Sequence, residues 1–181
     1  MSESLSKVFA MLLAILLLYI FPVENMLTRQ DDIARVFVLN ETTEFVDSVR
    51  NLGYITPLMY MQFTQNLSAT GLVYDIKMEH MHCSINPVFI DPVDMTSYQN
   101  DFSTNYLTTY TDEISKTLFP EIPSPSEDRT YRLSKGDYFT VMITNKNKTI
   151  ATKVQEMLIM TNLPAKCVFI NYGGMVRDEN N

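Results

Sequence analysis

The stretch that decides the fold is VFAMLLAILLLYIFPV, residues 8–23, a run of 16 apolar residues near the start of the chain. As a helix it would be about 24 Å long, at roughly 1.5 Å per residue, whereas the hydrocarbon core of a bilayer is about 30 Å thick. Leu5, Met26 and Leu27 extend the apolar surface at both ends. We therefore predict a transmembrane helix over residues 8–27.

Two other interpretations of the same run stay open, namely a cleaved secretory signal peptide and a buried core helix. A signal peptide has a shorter apolar region, about 7 to 15 residues, and small residues three and one before the cleavage point. No A-x-A-like site follows Phe21. The sequence thus favours an uncleaved membrane anchor.

Charges on either side of the run predict its orientation. Lys7 precedes it, whereas Glu24 and two aspartates follow it closely. Because positive residues tend to remain on the cytoplasmic side, residues 1–7 are expected to be a cytoplasmic lead. Residues 28–181 would then form an extracytoplasmic domain of a single-pass protein of the cytoplasmic membrane.

The composition of the chain limits its partners. The formal net charge is −7, and because Glu3 and Lys7 cancel, all of it lies beyond the apolar run. Such a domain does not attract phosphates, so we expect no nucleic-acid partner, whereas the apolar run makes membrane lipid an expected partner. The two cysteines, Cys83 and Cys167, could form a disulfide outside the cytoplasm or remain two buried thiols.

The helix is predicted to continue beyond the membrane. Residues 24–52 contain neither glycine nor proline, and their apolar side chains recur at helical spacing among polar ones. This pattern predicts an amphipathic continuation that ends at Gly53. Pro22 predicts a bend near the membrane boundary, and a break near Asn40 is a further expectation.

The remaining pattern predicts an α+β fold, with the long helix packed on a small, mainly antiparallel sheet. Thr56-Pro57 is typical of a helix start, and strict alternation from Leu72 predicts a half-buried strand. Residues 84–100 are predicted to be irregular, although residues 88–90 could pair at a sheet edge, and residues 107–118 are predicted as helix in preference to strand. Further predictions are a hairpin over residues 131–143 with Phe139, Val141 and Ile143 inward, a helix over 150–158 and a strand over 167–172.

Sequence motifs give little support for catalysis or cofactor binding. His80 and His82 are the only histidines, and their spacing places both on one face of the predicted strand. They are weak candidates for metal ligands, since a site would need at least one more ligand from elsewhere. Because phosphate-binding glycine loops, G-x-S-x-G and H-E-x-x-H are missing, we expect no enzyme activity and no cofactor.

Several stretches beyond the apolar run support a family resemblance. They are RQDDIARVF (29–37), TEFVDSVRNLGYITPLMYMQF (43–63), NLSATGLVYDIKMEHMH (66–82), GDYFTVMITNKNKT (136–149) and INYGGMVR (170–177). Together with the order of apolar helix, amphipathic helix and α+β domain, they resemble proteins of tight-adherence pilus systems in Gram-positive bacteria, similar to TadE-like minor pilins and pseudopilins. Prepilin leaders have a glycine before the cleavage point, whereas here no glycine precedes residue 53.

This resemblance implies a noncatalytic pilin-like component that acts by helix packing and contacts with other pilin-like subunits or pilus assembly proteins. Without processing, it would be a membrane-resident assembly or priming component instead of a released filament subunit. The charged residues expected at subunit contacts are Glu24, Arg29, Asp31, Asp32 and Arg35. The alternative is an independent single-pass surface module that binds or senses a ligand.

Overall fold

The computed structural model describes residues 2–91, 93, 95–122, 125, 128–164 and 168–177. Its fold is α+β, as predicted, with an N-terminal helix far longer than any other element. The elements are α1 (Ser2–Leu52), β1 (Tyr54–Ile55), α2 (Pro57–Ser68), β2 (Tyr74–Phe89), a 3₁₀ turn (Met95–Ser97), β3 (Tyr98–Tyr110), α3 (Thr111–Leu118), β4 (Tyr131–Arg132), β5 (Tyr138–Asn145), α4 (Ile150–Ile159) and β6 (Phe169–Met175).

Helix α1 is 51 residues long, which corresponds to about 77 Å. It runs through Pro22 and Asn40, so the expected break near Asn40 is wrong. A proline removes one backbone donor, and the polar side chain of Asn40 does not interrupt the hydrogen-bond ladder. The helix ends where predicted, at Gly53, whose φ of 71° is accessible to glycine and whose amide donates to the Val49 carbonyl.

Four strands form one antiparallel sheet in the order β3-β2-β5-β6, which confirms the predicted sheet type. The 16-residue β2 pairs with β5 over its first half, from Tyr74 to Met81. Its second half pairs with β3, from Glu79 opposite Tyr110 to Phe89 opposite Tyr98. Beyond Met81, β2 and β3 therefore extend as a two-stranded ribbon, residues 82–89 with 98–107.

This ribbon corrects two sequence predictions. Residues 84–89 and 98–100 are strand, although they were predicted to be irregular, and β3 includes Leu107, which was predicted as helix. Pro87 is tolerated because β2 pairs only with β3 at this point, so its missing donor interrupts no second ladder. The aromatic and β-branched residues before Tyr110 suit this strand, and α3 starts only at Thr111.

The predicted hairpin over residues 131–143 is also wrong in its pairing. β4 pairs with β1 in a separate two-stranded sheet, while β5 lies between β2 and β6. The turn does form, since the Asp137 amide donates to the Ser134 carbonyl at 3.0 Å, but it carries the chain from one sheet to the other. The alternation of β5 is confirmed, with Phe139, Val141 and Ile143 fully buried.

The core lies between one face of the sheet and the helices. Phe45 of α1 stacks on Phe63 of α2 at a ring-centroid distance of 4.4 Å and meets the edge of Phe139 of β5 at 6.3 Å. The other buried members from α1 are Val38, Val46 and Val49. At least 17 buried apolar side chains form this one cluster, which is enough for a domain core.

Polar contacts fasten the end of α1 to β6. The Arg50 guanidinium donates to the Met175 carbonyl at 3.0 Å and to Asp47 at 2.7 Å. Arg50 lies directly over Gly174, where an added Cβ would be 2.7 Å from its Cζ. Gly173 and Gly174 therefore lie inside β6, which continues past the predicted end at residue 172; a Cβ at Gly173 would clash with the backbone of β5, and one at Gly174 would displace the Arg50 guanidinium.

Candidate functional site

A cluster of two histidines and one aspartate lies where β2 passes the turn before β5. His80 and His82 are alternate residues of β2, so both side chains extend from the same face of the strand. His80 Nε2 lies 2.8 Å from Asp137 Oδ2, and His82 Nδ1 lies 2.9 Å from Asp137 Oδ1. The fold thus adds to the two sequence-predicted candidates the third group that they require.

Asp137 is held in place by the backbone as well as by the histidines. The amide of Ser134 donates to Oδ2 at 2.7 Å, and the amide of Cys83 donates to Oδ1 at 3.2 Å. Burial raises the pKa of Asp137, but the hydrogen bonds from His80, the two amides and His82 together lower it, and the net shift is downward. The carboxylate is therefore ionised and fixed, although its side chain is only 2% exposed.

Tyr131 completes the environment of His80. Its hydroxyl oxygen lies 2.6 Å from His80 Nδ1, and the two rings meet edge to face at 5.5 Å. Burial raises the pKa of Tyr131, a hydrogen bond with Thr109 lowers it, and the charges of Glu113 and Asp137 raise it further. Both ring nitrogens of His80 thus have a partner, which fixes the orientation of the imidazole.

Two chemical states fit this geometry. Without an ion, Nε2 of His80 hydrogen-bonds with Asp137 and Nδ1 hydrogen-bonds with the Tyr131 hydroxyl. With an ion, the facing atoms of His80, His82 and Asp137 can act as ligands, since all lie within 4.8 Å of one another. Sequence reasoning missed Asp137, whose signal was its place in the S-K-G-D turn next to an alternating strand.

The N-terminal part of α1 presents a second feature, a long apolar surface. Large apolar side chains are exposed along the whole predicted span, for example Phe9 at 67% and Leu18 at 78%. Over the described residues, α1 is the one helix that is long and apolar enough to cross a membrane, and none of its most apolar 18-residue stretch is buried. This supports the prediction of one helix that is long and apolar enough for a single membrane crossing.

The charged residues expected at subunit contacts differ in their surroundings. Glu24 is half-buried and accepts a hydrogen bond at 2.9 Å from Gln155 of α4, so it is engaged within the chain. Asp31 is half-buried, and its Oδ2 atom has no hydrogen-bond partner among the described residues. Arg29, Asp32 and Arg35 are exposed.

The predicted disulfide stays a prediction. Cys83 is half-buried on β2. Cys167, its predicted partner, lies outside the described residues.

Comparison with protein-family models, curated proteins and solved structures finds no match for this chain.

Proposed function

We propose that the protein is a noncatalytic, membrane-anchored component of a type IV or tight-adherence-like pilus or secretion apparatus. One observation supports this proposal above all. A single uninterrupted helix combines an exposed apolar half with a half that contributes buried side chains to an α+β domain core. That arrangement suits a subunit whose helix is either in lipid or packed with similar helices, while its domain makes the outer contacts.

The exposed apolar half of α1 must be covered by lipid or by other protein. Burying one large apolar side chain is worth roughly 1.5 to 3 kcal/mol, so leaving all of them in water would cost on the order of 20 kcal/mol. The exposed large apolar residues up to Val23 are Leu5, Val8, Phe9, Met11, Leu12, Leu13, Ile15, Leu16, Leu17, Leu18, Tyr19, Phe21 and Val23. Lipid tails and neighbouring apolar helices offer nearly equivalent cover, so a helix can exchange one for the other at small cost.

In this proposal the N-terminus lies in the cytoplasm and the domain lies outside, as the charges around the span favour. Membrane lipid and other pilin-like subunits or assembly proteins are the partners. The amphipathic continuation of α1 carries the exposed charges of Arg29, Asp32 and Arg35, which would set the register between neighbouring helices. The acidic balance of the chain argues against nucleic acid as a partner.

The test has two steps, and the first concerns the anchor. The protein should stay in carbonate-washed membranes, and Leu16→Arg should weaken that retention, because arginine at the centre of a span costs about 2.5 to 3.5 kcal/mol. Lys135→Glu, a charge change on the exposed turn before β5, is the matched control and should leave retention unchanged. If carbonate released the wild-type protein from the membranes, this result would contradict the proposed membrane anchor.

The second step concerns assembly. A pilus component should appear in sheared surface filaments or co-purify with other pilin-like proteins after extraction. A protein that stays alone in the membrane fraction would support the alternative, an independent surface module that binds or senses a ligand. The ribbon of β2 and β3 favours that alternative, because Ile85, Phe102 and Tyr106 are each more than half exposed there.

A further inference from the structure

We propose that His80, His82 and Asp137 form a binding site for a divalent transition metal, Zn²⁺ in the first place. In a tetrahedral zinc site with bonds of roughly 2.0 to 2.2 Å, two ligand atoms lie about 3.3 to 3.6 Å apart. The three facing ligand atoms lie within 4.8 Å of one another, and each histidine nitrogen lies within 3 Å of a carboxylate oxygen. Small side-chain adjustments therefore bring all three into the first coordination sphere.

The surroundings prepare these ligands in the way that metal sites require. Amides of Cys83 and Ser134 hold the carboxylate, so it does not have to be ordered when the ion binds. When Nε2 of His80 binds the ion, Nδ1 carries the ring proton and donates a hydrogen bond to the Tyr131 oxygen, which takes the place of the carboxylate, carbonyl or water that usually orients a ligating histidine. The ring protons that face Asp137 in the metal-free form move to the other nitrogens or to solvent.

The ligand set favours a transition metal over Mg²⁺ or Ca²⁺. Two imidazoles and one carboxylate suit zinc, whereas Mg²⁺ and Ca²⁺ prefer oxygen ligands throughout. His82 is 44% exposed, so an ion has a path from solvent, and three protein ligands leave a fourth position for water. The ion would join β2 to the turn before β5 and so stabilise the domain.

Calorimetric titration of Zn²⁺ into the chelator-treated full chain in detergent tests this site. We expect one ion per chain and, at an ion concentration 100 times the Kd, an increase of about 100-fold in the ratio of folded to unfolded protein. His82→Ala, at a half-exposed position that tolerates truncation, should weaken binding at least tenfold, whereas Glu79→Gln on the opposite face of β2 should leave it unchanged. Co²⁺ in place of Zn²⁺ should give visible absorption that Asp137→Asn alters.

Three results would overturn the metal site. These are no binding heat with Zn²⁺, equal binding by the wild type and His82→Ala, and Mg²⁺ binding as tightly as Zn²⁺. Each leaves the hydrogen-bonded network as the sole role of the cluster.

A separate observation concerns α4, which lies against α1 where the apolar run ends. Gln155 of α4 donates to Glu24, the residue directly after the run, across 131 positions of sequence. The half-buried residues of this part of α1 recur three or four apart on one face, and they are Ile20, Glu24, Leu27, Thr28, Asp31 and Ala34. Ile20 lies within the run itself, so the covered face reaches the predicted span.

The last turn of α4 and its C-cap residue, Met160, are apolar and exposed. Met157 is 78% exposed, Ile159 is 60% exposed and Met160 is 93% exposed. These residues lie within five positions of Gln155, or about 8 Å along a helix. β5 starts beside the Arg50 end of α1 and leads into α4, whose Gln155 then contacts α1 at Glu24, next to the predicted span.

We infer that this last turn of α4, residues 157–160, lies in the interfacial layer of the same bilayer that α1 crosses. This inference rests on the proposed membrane anchor. An apolar turn beside the end of a membrane span is at the depth where headgroups meet acyl chains, and burial there removes its exposed apolar surface from water. The contact would hold the domain at a fixed tilt on the membrane.

Spin labels on the full chain in lipid nanodiscs test the contact, in a Cys83→Ser, Cys167→Ser background. Met160→Cys should show greater access to oxygen than to a water-soluble relaxing agent, as should Leu16→Cys, whereas Lys135→Cys should show the reverse. If Leu16→Cys is in lipid and Met160→Cys is in water, the α4 contact is overturned and the anchor stands. If the label at Leu16→Cys is in water, the proposed anchor itself fails. Strong spin coupling between Met160→Cys labels of two copies would overturn the lipid contact in a different way, because the end of α4 would then contact a second copy of the chain.

Discussion

Replacing Phe45 tests whether the second half of α1 is part of the domain core. Phe45 is 6% exposed, stacks on Phe63 and touches the edge of Phe139, so it joins α1 to both α2 and β5. Phe→Ala at a buried site costs about 3 to 5 kcal/mol, because the removed ring leaves a cavity. An aromatic pair of this kind adds roughly 0.5 to 1.5 kcal/mol beyond the buried area.

We therefore expect Phe45→Ala to lower the free energy of unfolding by about 4 kcal/mol. With a urea slope of roughly 2 kcal/mol per molar, the midpoint of unfolding would fall by about 2 M. Urea unfolding of the full chain in detergent can be followed by the near-UV circular dichroism of its ten tyrosines, since the protein has no tryptophan. A loss of this size is a large part of a typical stability of about 5 to 15 kcal/mol.

Two further variants make the measurement decisive. Phe45→Leu keeps most of the volume and should cost less than about 1.5 to 2 kcal/mol, so it reports the effect if Phe45→Ala does not fold. Phe102→Ala removes a ring that is 60% exposed on the ribbon and should change stability by less than about 0.5 kcal/mol. If Phe45→Ala cost no more than Phe102→Ala, α1 would not be packed against the sheet, and the reasoning would be refuted.

Three other predictions follow from single contacts. Gly174→Ala should destabilise the protein by about 1 to 3 kcal/mol, because a Cβ would push the Arg50 guanidinium from its hydrogen bonds; the loss should be smaller in an Arg50→Ala background, and equal losses would contradict this cause. The hydrogen bond from Lys148 lowers the pKa of Glu156, so the stability that it contributes is present above the unfolded pKa near 4.5 and is lost as the pH falls through the lower folded value. The plot of melting temperature against pH should therefore be flatter over that range for Glu156→Gln than for the wild type. An unchanged plot would count against a contribution of the Lys148–Glu156 pair to stability. Asp31→Asn should raise the free energy of unfolding by about 1 kcal/mol, because it neutralises a buried oxygen that has no hydrogen-bond partner among the described residues. If Asp31 also sets the register between subunits, the same change should reduce the amount of sheared filaments, and an unchanged amount would argue against that role.

Much of the fold could be predicted because it depends on local signals. The Thr56 side chain accepts from the Met59 amide at the start of α2, as the Thr-Pro pair predicts, and Gly53 ends α1 with a positive φ. Strand β5 alternates strictly between buried and half-buried residues, as a period of two requires. Each of these signals lies within a few residues of the structure that it specifies.

The errors occur where a partner distant in sequence decides the structure. The residues before Tyr110 suit both helix and strand, and pairing with β2 makes them strand. Tyr131 and Arg132 pair with β1 instead of β5, because the turn that the buried Asp137 side chain holds redirects the chain. Local propensity contains no information about either partner.

The sequence by itself indicated an N-terminal helix whose apolar surface must be covered by lipid, by other helices or by a protein core, because 16 consecutive apolar positions leave the helix no polar face. It also determined the α+β class and the shared face of His80 and His82. Only the tertiary structure placed Asp137 between the two histidines and Gln155 against Glu24, at separations of 55 and 131 residues. The physical reason is that the spacing of apolar residues along a helix or strand determines which face each side chain lies on, whereas the packing of the whole core determines which other residues that face contacts.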